Sequence, residues 1–450
     1  MNEAVHVVGG GLAGTECAYQ LTRRGIPVVL HEMRPVRSTP AHKTGDLAEL
    51  VCSNSLRSDD ADHAAGLLKR EMERFGSLVI GAARTAAVPA GNALAVDREA
   101  FAEAITSTLA TTPNLEIRRS EVEEIPDGDV VLATGPLTSP AMAERLQDLL
   151  GEEYLYFYDS IAPIVDGSTL DLEPLFWQSR WGKGGDDYLN VPLDEAQYLE
   201  FHRELIEAEV QPLHDFEQAL FFEGCLPIEE IARRGVDTPR WGPMKSIGLT
   251  APDGTRPHAV VQLRRESLSR ELLNIVGFQS RLKWPEQKRV FGSLPGFANV
   301  DFVRLGQVHR NTFVNSPTHL DDQYRLLRHP RIRLAGQITG VEGYLESAAT
   351  GLAIGLYLSA QRRGEALEPF PGTTALGALA RHLTQSRAKH FQPANINYGL
   401  FEELQRRVPK KQRRGAFAER AWLDLETWAN AHGLELEAVA NPPVETIPTS

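Results

Sequence analysis

Ala4-Val5-His6-Val7-Val8-Gly9-Gly10-Gly11-Leu12-Ala13-Gly14 is the stretch that decides the fold. Ala4–Val8 is a nearly continuous apolar run that reads as a buried strand. Gly9, Gly11 and Gly14 then satisfy G-x-G-x-x-G. A helix is expected from about Gly14 to Arg24, followed by a strand over Pro27–His31 that ends at Glu32, 18 residues past the last glycine. Strand, glycine turn, helix, strand and acid in that order make a βαβ unit built for a dinucleotide. Gly9 permits the tight turn, Gly11 lets the backbone approach a pyrophosphate, and Gly14 lets the helix lie close on the sheet. Gly10, Leu12 and Ala13 complete a turn whose N–H groups and positive helix end suit phosphate oxygens. Glu32 is placed to accept from the adenosine ribose, and its charge disfavours a 2′-phosphate.

Further along, Asp129–Thr134 reads as another strand, stopped by Gly135-Pro136, and residues 331–336 as a third, ending at Gly336. An Ala/Gly-rich helix is expected from about Leu345 to Arg362. This late strand-glycine-helix return resembles the split dinucleotide domain of glutathione-reductase-like flavoproteins. The resemblance implies a discontinuous Rossmann-type α/β domain with FAD as the tightly held cofactor. Thr339, Gly340 and Val341 are then expected to offer backbone N–H groups to the flavin, and Tyr344 to stack on its ring, with an ordinary packed aromatic as the competing reading. The expected organisation is a first FAD-binding part over 1–189, an inserted α/β domain over 190–295 and a second FAD-binding part over 296–370. A helical basic region over 371–440 and a tail over 441–450 follow. Within the insertion, 194–224 reads as helical.

The 450 residues, 42% hydrophobic and 24% charged, have the composition of a soluble globular protein. No apolar run approaches the ~20 residues of a membrane span, and the N-terminus lacks a secretory signal. A cytoplasmic location without a membrane partner, and a monomer, are expected. Cys17, Cys52 and Cys225 are too few and scattered for a disulfide framework, and without C-x-x-C or H-E-x-x-H spacing no metal is expected. Cys17 reads as a core residue on the first helix. Cys52 lies in a donor-rich loop past the second strand, and Cys225 precedes a Pro-started helix whose N-terminus favours a thiolate. Net charge is −13, yet residues 376–420 carry ten Lys/Arg against three Glu. That +7 segment, centred on Lys410, Lys411, Arg413 and Arg414 with His390, Phe391 and Tyr398 interleaved, fits either a polyanion contact or a solvated face.

Longer strings narrow the reading. GGGLAG at 9–14, EMRP at 32–35, ELVCSNSLRS at 49–58, FEGCLPIE at 222–229, HRNTFVNSP at 309–317 and AGQITGVEGYLESAATG at 335–351 closely resemble the folate- and FAD-dependent tRNA (uracil-5-)-methyltransferase family. The resemblance runs from about residue 4 to residue 430, with Val308 and Val314 where Met and Ile are expected. It implies methylation of C5 of the T-loop uridine of tRNA, with the carbon from 5,10-methylenetetrahydrofolate and reducing equivalents from NADH or NADPH by way of FAD. C5 of uracil is a poor nucleophile until a thiolate adds at C6, and Cys225 resembles the residue that does so. Cys52 resembles the thiol that handles the one-carbon adduct or removes a proton, and the two could exchange parts. His309 is implied as a folate-stacking or proton-orienting group, and Arg57 and Asn54 as groups that polarise the flavin or fix the Cys52 loop. The basic segment becomes the tRNA backbone contact, and the target base must be flipped out to react.

Three other readings share parts of this pattern. A flavin-dependent NAD(P)H oxidoreductase acting on a small substrate has the same nucleotide domain but no use for the two thiols or the basic segment. A flavoprotein acting at the tRNA wobble uridine needs a longer helical C-terminus than this chain has. A non-catalytic RNA-binding module would not retain flavin.

Overall fold

Val5–Val8 and Val28–His31 are short runs rich in β-branched residues that alternate little, as strands buried on both faces do. They pair in parallel, Val5 with Val28 and Val8 with His31. The computed structural model describes residues 3–39, 41–151, 155–183, 185–211, 226–267 and 271–439. In it the two strands lie inside a six-stranded sheet ordered Arg325–Leu326, His329–Leu334, Val130–Leu132, Val5–Val8, Val28–His31, Leu115–Arg118. All neighbours are parallel except the outermost hairpin. The chain leaves the first strand in one direction and later returns on its other side. The carboxyl end of Val5–Val8 is therefore the switch point where such sheets bind ligands.

The first helix, Leu12–Thr22, begins directly after Gly11, slightly earlier than the expected Gly14. Its partner is the 20-residue helix Tyr344–Arg363, almost wholly buried along its first seventeen residues. Small residues make the approach close: a Cβ on Gly351 would stand 2.1 Å from the Ala13 carbonyl oxygen. The far end of this long helix is fastened by Arg362, which pairs with Asp129 (3.0 Å) and bonds the Glu3 carbonyl.

The second sheet is antiparallel, ordered Phe176–Trp177, Tyr188–Leu193, Ala259–Arg265, Leu272–Ile275, Ile164–Asp166, Phe302–Arg304. Its core includes Val191, Val261, Leu263, Ile275, Phe278 and Phe291. Three of its strands, at 164–166, 176–177 and 302–304, fall outside the 190–295 expected for the insertion, and a fourth begins before it at Tyr188. Strands of two or three residues carry no periodic signal, so the sequence bounds are narrower than the sheet. The helix expected across 194–224 is Glu195–Glu207, started by a reciprocal Asp194–Gln197 capping box. Residues 212–225, with Cys225, lie outside the described residues, as does the 441–450 tail.

Beyond residue 370 the chain folds back onto the nucleotide domain through helices Ala375–Gln385 and Arg413–Ala431. Glu71, fully buried, accepts the Ala375 and Leu376 N–H groups at 2.8 and 2.9 Å and so caps the first of these helices from across the interface. Among the described residues no helix is long and apolar enough to cross a membrane.

Candidate functional site

The glycine turn closes because Gly9 takes φ +111°, and a Cβ there would lie 2.3 Å from the Ala133 carbonyl oxygen. Gly14 packs its bare Cα under the Gly9 carbonyl. Gly11 differs: a Cβ added to it would meet nothing within 4 Å, because it borders open space. That space is a cleft of about 1060 Å³ along the carboxyl edge of the parallel sheet. Gly9, Gly10, Gly11, Leu12, Ala13, Glu32, Gly135, Gly336 and Tyr344 all line it. No side chain caps the first helix and no acid sits in its first turn, which leaves that end suited to an outside anion.

Glu32 accepts the Gly10 N–H (2.9 Å) and is gripped by Arg34 through Nε on Oε1 (2.9 Å) and Nη2 on Oε2 (3.2 Å). Burial opposes its charge, but Arg34 and the Gly10 N–H together hold the carboxyl below its ordinary value. Arg34 also reaches Glu49 at 3.0 Å. The Arg34 backbone N–H also donates to Glu32 Oε1 (2.9 Å), so the carboxylate is fixed and ionised at the cleft lining with two hydrogen bonds on each oxygen. A cleft lined by the bare Gly11 at the helix end and by the fixed Glu32 carboxylate fits FAD.

A second cavity, of about 1030 Å³, meets the first at Val51, Pro136, Leu137, Gln337 and Tyr344. Cys52 and Arg57 line it, with Asn311, Glu342 and Asn395 opposite. The Tyr344 hydroxyl accepts the Cys52 N–H at 2.6 Å, and burial pushes that phenol far above its usual range. Arg57 has φ +64° and pairs with the fully buried Glu346. Beneath, the Cys52 loop is held by two guanidiniums. Arg98 bonds the Leu50 carbonyl (2.7 Å) and the Cys52 carbonyl (2.8 Å); Arg304 bonds those of Val51 (3.2 Å) and Cys52 (2.8 Å). Arg98 is paired in turn with Glu266.

Some expected roles narrow and others change. Asn54 is fully buried and does not face either cavity; its amide bonds the Val96 and Arg265 carbonyls while its oxygen accepts from Arg264, which fixes the loop. Thr339 and Gly340 spend their N–H groups on the Gly336 and Gln337 carbonyls in closing a tight turn, and neither they nor Val341 line the cleft. Phe391 is core, packed on Phe313, and Tyr398 stacks on Phe417 instead of facing solvent. His309 lies on the strand Val308–Phe313, its side chain outside the described atoms. Cys17 is inert, its thiol pushed up to about 12 by burial. Lys410, Lys411, Arg413 and Arg414 are exposed at the start of the last long helix, and among the described residues none pairs with a carboxylate; Arg414 bonds His63.

Sequence reasoning missed Arg98, Arg304, Glu266 and Glu346, which no local pattern marks. Arg34, inside EMRP and two residues past Glu32, carried a readable signal as the nearest cation to a buried acid.

The family model described as glucose inhibited division protein A matches residues 4–366. A Geobacter sulfurreducens protein named methylenetetrahydrofolate–tRNA-(uracil-5-)-methyltransferase TrmFO is 53% identical over 431 residues, covering 95% of this chain and 99% of the relative. A protein of the same name from Enterococcus faecalis is 50% identical, covering 95% and 98%. Among solved structures, Aquifex aeolicus GidA superposes with a TM-score of 0.66 at 16% identity, covering 94% of this chain and 73% of that one, which speaks to the fold alone. With half its residues shared along nearly its whole length, the chain belongs to the glucose inhibited division protein A family and, within it, to the methylenetetrahydrofolate–tRNA-(uracil-5-)-methyltransferases.

Proposed function

We propose that this protein transfers a one-carbon unit from methylenetetrahydrofolate to C5 of the T-loop uridine of tRNA, with FAD as bound cofactor and NADH or NADPH as reductant, acting as a monomer. The observation that carries the reading is the meeting of the two cavities at Tyr344 and Val51, beside the Cys52 thiol, in a chain half identical to proteins so named. When bound, FAD supplies the redox chemistry that turns a transferred methylene carbon into a methyl group.

The protein's own residues do the rest. Glu32, fixed by Arg34, orients the adenosine end, and the uncapped start of the first helix receives the pyrophosphate. Tyr344 holds the Cys52 loop at the junction where the two reactants meet. Arg57, held by Glu346, faces the second cavity as a donor for a carbonyl or anionic group of the substrate. Cys225 adds as a thiolate to C6 of the flipped uracil and leaves once the C5 proton has gone, and Cys52 serves the one-carbon unit or that proton. Lys410, Lys411, Arg413 and Arg414 contact tRNA phosphates.

The test is incubation of the flavin-loaded protein with a tRNA transcript, labelled methylenetetrahydrofolate and NAD(P)H, followed by nucleoside mapping. Label in 5-methyluridine of the T loop is expected. Label at the wobble position, or NADH oxidation that proceeds equally without tRNA and folate, would replace the reading with one of its rivals. Cys225→Ala is expected to abolish covalent trapping by 5-fluorouracil-containing tRNA; persistent trapping would move the nucleophile to Cys52.

A further inference from the structure

Under the reaction cavity two guanidiniums, one from a helix and one from a strand, converge on one loop. Arg98 begins the helix Arg98–Ala110 of the nucleotide domain, and Arg304 ends a strand of the antiparallel sheet. Both donate to the same atom, the Cys52 carbonyl oxygen, each at 2.8 Å. Glu266, which follows the strand Ala259–Arg265 and is 3% exposed, pairs with Arg98, yet its Oε1 has no partner, and neither does Nε of Arg304. Among the described residues, two guanidiniums thus meet the Cys52 loop against one carboxylate bound to Arg98.

Further out the charges are mixed, and Glu342, across the cavity with Gln337 Nε2 on its Oε2 (2.7 Å), adds a negative one. Arg264, on the same sheet, reaches Asn54, and Asp97, at the helix start, caps Glu99 and Ala100. One adds a positive charge and the other a negative. Arg57 and Glu346 face the loop from the other side as a neutral pair. Tyr344 is held in its phenol form by burial, so it supplies no negative charge. Arg304 is drawn down by burial to about 10 and stays charged at neutral pH. Two guanidiniums bonded to the carbonyl of the same residue favour the charged form of the Cys52 thiol.

We propose that Arg98 and Arg304 are positioning residues that keep Cys52 in its thiolate form at neutral pH, with Glu266 opposing them and setting how far. The thiol gives its proton to solvent in the open cavity, and the thiolate is stabilised by the two guanidiniums. The convergence of both arginines on the Cys52 carbonyl fixes the loop in place while their charge acts on the sulfur. This rests on the placement of Cys52 at the reaction cavity, but its test needs no tRNA, folate or turnover.

The ionisation of Cys52 is read in the flavin-loaded protein from the pH dependence of thiolate ultraviolet absorbance, taken as the difference between the wild type and Cys52→Ser. Alkylation of the Cys52 peptide by iodoacetamide, followed by mass spectrometry, gives an independent profile. A midpoint at least one pH unit below the ordinary thiol value of about 8.5 is expected. Arg304→Gln is expected to raise that midpoint by a unit or more, Arg304→Lys to restore most of it, and Glu266→Gln, which removes the opposing charge while keeping the shape, to lower it. The opposite signs separate an electrostatic role from a scaffolding one, since damage to the loop would move both Gln variants alike. Flavin absorbance reports whether each variant is folded. A wild-type midpoint at or above about 8.5, or Arg304→Gln and Glu266→Gln shifting in the same direction, would overturn the proposal. A methylation assay that failed while these shifts appeared would instead sink the assigned reaction and leave the thiolate standing.

Discussion

Gly11→Val separates the cofactor site from the fold more cleanly than any other single change. The residue sits at φ −78°, ψ −171°, an extended conformation any amino acid adopts, and its Cβ would meet no protein atom within 4 Å. The protein therefore loses only the better helix cap, at a cost of about 1 kcal/mol. The added side chain instead fills the space through which a pyrophosphate passes. Lifting the phosphates off the helix end forfeits two charge-assisted N–H bonds of about 1.5–3 kcal/mol each, roughly a hundred- to ten-thousand-fold in affinity. Flavin is stripped from wild type and variant, the two apoproteins are melted, and FAD is titrated back while its fluorescence is followed. Near-equal melting with binding weakened by at least two orders of magnitude is expected. Gly14→Val serves as the contrast: its Cβ would lie 1.9 Å from the Gly9 carbonyl oxygen, so the apoprotein itself is expected to melt much earlier. FAD affinity for Gly11→Val within threefold of the wild type would show that no phosphate passes this residue.

Charge reversal at Lys410 and Lys411 is expected to weaken tRNA binding and to flatten the slope of log affinity against log salt by about two; an unchanged slope would make the segment a solvated face. Gly351→Ala forces the long helix off Ala13 and is expected to cost roughly 1–3 kcal/mol or more and to shed flavin, read by denaturant melts and absorbance. Burial raises the Glu71 carboxyl to about 8 against the pull of the Ala375 and Leu376 N–H groups. A folded value above the unfolded one adds stability that is complete below about pH 4.5 and is lost as pH climbs through about 8, on the order of several kcal/mol. Glu71→Gln is expected to erase that pH dependence, measured by denaturant unfolding between pH 5 and 9; an equally steep dependence in the variant would place its source elsewhere.

How much of this was legible depends on whether the determining contacts are local. Gly9 to Gly14 and Glu32 could be read because turn, helix and acid are tied by short-range geometry, and the structure puts Gly9, Gly11 and Glu32 on one cleft. The late return was readable for the same reason, down to one residue at the helix start, Tyr344 rather than Leu345. Thr339 and Gly340 misled because a tight turn consumes N–H groups that look available in a linear string. Asn54 left two roles open in the sequence, and its partners Arg264 and Arg265, some 210 residues away, decide for fixing the loop. Arg98, Glu266 and Arg304 were invisible: each is an ordinary charged residue in its own neighbourhood and acquires meaning only when two sheets meet.

The helix Tyr344–Arg363 is anchored at both ends, by Arg362 at the base of the parallel sheet and by Tyr344 at the reaction cavity. Twenty residues of helix span about 30 Å, so it works as a lever. A pivot of about 2° at the Arg362–Asp129 pin swings the Tyr344 end by about 1 Å, a displacement that can cost an enzyme about a hundredfold in rate. The least chemical corner of the molecule is therefore mechanically coupled to its chemistry, and damage at that distant pin would read out as lost turnover with every reacting group still intact.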